Sequence, residues 1–120
     1  MDLDLQTVER AVRAMRLGAI AAAGLASMAK RSLAVAEFAG ERAHAGGLTR
    51  QPLSEGAAED ELMWLFRVGV VRREVDGQGI TDRFRLTPLG KRVLVEVRRA
   101  DLPALSPLDQ VGNLLTRWLS

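Results

Sequence analysis

The sequence predicts a mainly α chain with one β-hairpin, folded as a single domain over residues 1–120. Three observations carry that prediction. Apolar residues return every three or four positions through most of the chain. One strong turn signal, Asp76-Gly77-Gln78-Gly79, lies between two short runs of strand-forming residues. A length of 120 residues with 48% apolar and 27% charged residues suits one ordinary globular core, without a disulfide or metal staple. The core is expected at about 32–100, with flanking helices at 4–31 and 106–119.

Each element has its own local justification. Leu5, Val8, Val12 and Met15 share one face of a first helix, with Glu9, Arg10, Arg13 and Arg16 on the others. Asp4 is placed to cap it and Gly18 to interrupt it. Ile20, Leu25 and Met28 continue a small-residue helix that ends at Lys30 and Arg31, where cations suit the helix dipole. Ser32 is placed to cap a third helix through Leu33, Val35, Phe38 and Ala39, fading by His44. Gly46-Gly47 and Pro52 mark a loop. Ser54 caps a fourth helix to about Val68, with Ala58, Leu62, Leu65 and Phe66 inward, and Gly69 offers a left-handed terminus. Val70–Val75 and Thr81–Leu86 form the hairpin, with Phe84 and Leu86 on one face and Arg83 and Arg85 on the other. Thr87-Pro88 and Ser106-Pro107 are two helix starts. Leu89, Val93, Leu94 and Val97 stripe the first of these helices. Leu108, Val111, Leu114, Leu115, Trp118 and Leu119 stripe the last.

Charge and composition exclude several classes of function. There is no cysteine, which removes disulfides, thiolate zinc sites and thiol catalysis. The single histidine, His44, leaves no nucleophile–base–acid set to argue, so no catalytic residue, cofactor or metal is expected. The longest weakly polar run, at 17–29, falls short of the roughly 20 residues of a membrane span. The acidic start Met1-Asp2-Leu3-Asp4 is unlike a secretory signal, so a cytoplasmic protein is expected. The net charge of +2 is mild, but residues 67–99 hold nine basic and four acidic side chains. Fifteen of the 17 basic residues are arginine, which holds phosphate in a bidentate fork.

Helices, then a helix ending in glycine, a twisted hairpin and another helix form the layout of a winged helix-turn-helix domain. The runs Leu62-Met63-Trp64-Leu65-Phe66-Arg67-Val68-Gly69-Val70-Val71-Arg72-Arg73 and Asp82-Arg83-Phe84-Arg85-Leu86-Thr87-Pro88-Leu89-Gly90 resemble the recognition-helix and wing regions of bacterial regulators of the MarR and PadR kind. The resemblance covers about residues 53–97. Arg50-Gln51-Pro52-Leu53-Ser54-Glu55 and the run from Arg72 to Gly90 also resemble a family of small cyanobacterial proteins with no assigned activity. The regulator resemblance implies DNA contact by the wing, with Arg83 as the arginine that follows an aspartate. Arg72, Arg73 and Arg85 would flank it and neutralise phosphates.

Two features depart from the regulator pattern. The fourth helix opens with Glu55, Glu59, Asp60 and Glu61 and has no cation before Arg67, so it offers little to read base edges. The connection from Phe38-Ala39-Gly40 to Ser54 is also longer than the roughly 3–4-residue turn of a tight helix-turn-helix. Two functions are therefore expected as alternatives. One is a DNA-binding transcriptional regulator working through its wing. The other is a protein-interaction module working through the acidic helix or an apolar face. Acids in a first helical turn also simply suit the dipole, and Trp64 and Trp118 fit core or interface packing. A homodimer is expected through Val8, Val12 and Met15 of the first helix with Val111, Leu114, Leu115 and Trp118 of the last.

Overall fold

The computed structural model of the chain describes residues 5–101. These form five α-helices and a small three-stranded antiparallel sheet: α1 (Leu5–Leu17), α2 (Ala22–Lys30), β1 (Leu33–Ala34), a 3-10 helix (Val35–Phe38), α3 (Gly40–Ala45), α4 (Glu55–Arg67), β2 (Val71–Asp76), β3 (Gly79–Leu86) and α5 (Pro88–Asp101). The strand order is β1-β3-β2. This mixed α/β order is compatible with a winged-helix arrangement. The expected last helix at 106–119 lies outside the described residues.

The terminal signals act as their chemistry requires. The Ser54 hydroxyl accepts the Ala57 N–H at 3.1 Å and starts α4. Gly69 follows α4 with φ +84°, a conformation costly for any residue with a Cβ. The Thr87 hydroxyl accepts the Gly90 N–H at 2.9 Å and starts α5 behind Pro88. The Asp76 carboxylate accepts the Gln78 N–H at 2.7 Å and closes the hairpin turn.

The third helix expected from Ser32 is corrected. Leu33 pairs with Phe84 and Ala34 with Arg83, so this stretch is a third strand. The Glu37 carboxylate then accepts the Ala34 N–H at 2.8 Å and bends the chain into the 3-10 helix. Gly40, at φ +84°, then opens the short α3. The local pattern is weakly helical, and pairing with β3 overrides it.

One core joins all the layers. Phe38, Phe84, Met15, Leu25, Met28, Leu62, Leu65 and Val93 are fully buried in it. α5 packs on α1 and α2, while α4 packs on the 3-10 helix and β2. Two expectations about the core are corrected. Phe66 is 41% exposed and Trp64, at 47%, is outside the core, because the inward side of α4 is formed by the buried Ala58, Leu62 and Leu65 with Ala57 and Met63 partly buried beside them; the interface expectation for Trp64 is untouched by this. The expected dimer seam on α1 is spent within the chain. Val8 and Met15 are buried, and Val12 is partly buried against the same core. Val111, Leu114, Leu115 and Trp118 lie outside the described residues.

The loop from α3 to α4 is tied down. Ile20 and Thr49 form an isolated bridge. The Arg50 N–H donates to Ala19 O at 2.8 Å, and Ala21 N–H donates to Leu48 O at 2.9 Å. The Arg50 guanidinium donates to the carbonyls of Arg16 and Gly18 at the end of α1. The buried Thr49 hydroxyl is satisfied by Gln51 O at 2.7 Å.

Candidate nucleic-acid interface

β2 and β3 pair with Val71 opposite Leu86, Arg72 opposite Arg85 and Arg73 opposite Phe84. Side chains alternate across a sheet, so this register sorts the four wing arginines. Arg72, Arg83 and Arg85 share the outer face. Arg73 is corrected to the other face, where its guanidinium carbon lies 5.4 Å from the centre of the buried Phe84 ring. Its Nε is buried without a hydrogen-bond partner. A cation over an aromatic face is attracted to it, which offsets part of that cost.

The outer-face arginines do not stand free. Arg83 donates from Nε to the Ser32 hydroxyl at 3.1 Å and from an η nitrogen to Ser32 O at 3.0 Å. The same guanidinium is 3.8 Å from Glu37, which also pairs with Arg31 at 3.1 Å. Glu74 lies between Arg72, at 3.8 Å, and Arg85, at 3.5 Å. Arg85 also donates to Lys30 O at 3.4 Å. Like charges directly opposite on a sheet repel, and Glu74 offsets that repulsion between Arg72 and Arg85.

Sequence reasoning misses Arg31. Its position after α2 gives no hint of the wing, and only the β1–β3 pairing brings it beside Arg83. The face therefore gathers Arg31, Arg72, Arg83 and Arg85 around Glu37 and Glu74. The four arginine side chains keep 41–61% of their area open to solvent. Burial acts to raise the Glu37 pKa. The Ala34 N–H, the hydrogen bond and charge of Arg31, and the charge of Arg83 outweigh it and hold the carboxyl below its ordinary value.

The acidic helix is split in the same way. Glu55, Glu59 and Asp60 are exposed, and Glu61 is partly buried. Its carboxylate accepts the Ala19 N–H at 3.2 Å and fixes the α1–α2 corner. His44 is exposed, with Nδ1 3.1 Å from Thr49 O.

A family model described as Npun_F0494-like matches residues 1–117. The chain belongs to the Npun_F0494-like family. The match spans the flanking segments as well as the sheet, so the Npun_F0494-like unit is the whole arrangement rather than the hairpin alone. No curated protein and no solved structure matches the chain. Among the described residues, no helix is long and apolar enough to cross a membrane.

Proposed function

We propose that this Npun_F0494-like chain is a winged-helix DNA-binding regulator that grips the phosphate backbone through the outer face of its sheet. One observation carries the reading: Arg31, Arg72, Arg83 and Arg85 converge on one half-exposed surface around two carboxylates. Pairs this exposed are typically worth under about 1 kcal/mol, so phosphates can compete for the same guanidinium groups. The contact is to backbone and minor groove. α4 presents Glu55, Glu59 and Asp60 to solvent, where phosphates repel them, and supplies no arginine, lysine, asparagine or glutamine before Arg67 to read a base edge.

The test is duplex DNA binding measured against salt. Affinity should fall steeply as salt rises. Arg83→Ala with Arg85→Ala should weaken binding on all sequences alike and lower the slope by roughly 0.9 for each phosphate no longer neutralised. A wild-type chain with no affinity at low salt would refute the proposal.

A second reading has its own support, since Trp64 is 47% exposed on the same helix as Glu55, Glu59 and Asp60. That surface suits a protein partner with a basic rim. Reversing the charge of Glu59 and Asp60 should then abolish partner capture and leave DNA affinity intact or raised.

A further inference from the structure

We infer that Glu37 and Glu74 are internal phosphate substitutes, and that a nucleic-acid backbone occupies the arginine face by displacing them. This rests on the DNA-binding reading above and adds how that face is restrained.

Each carboxylate bridges two guanidinium groups. Glu37 joins Arg31 to Arg83, and Glu74 joins Arg72 to Arg85. A carboxylate and a phosphodiester both offer two anionic oxygens to an arginine fork. Three of the four separations are 3.5–3.8 Å, longer than the roughly 2.7–2.9 Å of a well-formed charge-assisted hydrogen bond. The guanidinium groups are thus neutralised without being saturated. Among the described residues Glu74 is the one ion-pair partner of Arg72, so an incoming oxygen finds most of its donors open.

The face is also preorganised for an anion. Ser32 holds Arg83 through two hydrogen bonds at 3.0–3.1 Å that do not depend on a carboxylate, while Arg85 has a longer contact of 3.4 Å to Lys30 O. Arg83 keeps its aim when the acid leaves. Glu37 and Glu74 therefore set the affinity of the face: they suppress weak, indiscriminate attraction and are exchanged only for a denser anion.

The experiment compares the full chain with Glu37→Gln and Glu74→Gln on a labelled mixed-sequence duplex over a salt series. Glutamine keeps the Ala34 cap acceptor of residue 37 while removing its charge. Glu41→Gln on α3 is the control, an exposed acid outside this face with the same change in net charge. Each face variant should bind about tenfold tighter at low salt, with a slope steeper by about 0.9, and the control should change by less than about twofold. Wild-type binding with unchanged face variants, or an equal gain in the control, overturns the inference and leaves the DNA reading standing. Binding by the face variants but not by wild type overturns both, because the carboxylates of the intact chain are then not displaced. No binding by any of them overturns both.

Discussion

Glu37 serves two purposes with one carboxylate. It accepts the Ala34 N–H that turns the chain out of β1, and it pairs with Arg31 and Arg83. Its pKa is depressed in the folded chain, so its stabilising effect is complete above the ordinary glutamate range and is lost as pH falls through the folded value. Urea unfolding at neutral pH and at progressively acid pH should show a decline that is shallower in Glu37→Gln than in wild type. Gly90 imposes a different constraint. A Cβ there would meet the Val70 carbonyl oxygen and come within 2.5 Å of Leu86 Cδ1. The Val70 oxygen is already fixed, since it accepts the Thr87 N–H at 3.0 Å and the Thr87 hydroxyl at 2.9 Å. Gly90→Ala should cost about 1–3 kcal/mol by overpacking, read as a lower denaturation midpoint.

Helices and turns that carry their own local chemistry are legible in the sequence. Ser54, Gly69, Asp76 and Thr87 each act within three residues of themselves, and the structure uses each as expected. Ser54→Ala should accordingly cost about 1 kcal/mol, with the loss visible in the thermal melt. The stretch 32–44 is not legible. Its strand exists only because Phe84 and Arg83, some 50 residues away, supply the partners. The same pairing delivers Arg31 to the candidate site and lets Ser32 hold Arg83, so the site is half visible for one reason. Arg72, Arg83 and Arg85 follow from hairpin alternation, whereas Arg31 and the bridging carboxylates follow from tertiary contacts. Arg73 stands next to Arg72 in the chain, yet the two-residue period of the strand sends it to the opposite face.

At the scale of the molecule, the apolar stripe of α1 closes the core instead of waiting for a second subunit. α5 packs along α1, and Val8 is 6% exposed. Val8→Asp would bury an unpaired charge beside that helix and should cost roughly 3–5 kcal/mol. The expected result is a lost or strongly lowered cooperative melt. A variant with a wild-type melt and half the sedimenting mass would instead place Val8 at a subunit boundary.

The clasp of Arg50 and Glu61 on residues 16–19 bears on how this protein can be shortened. Deleting α1 and its corner would strip both side chains of their backbone partners and uncover Met15's neighbours in the core. A fragment trimmed to the sheet and its nearest helices would therefore be a damaged molecule. Its failure to bind anything would say nothing about the intact chain.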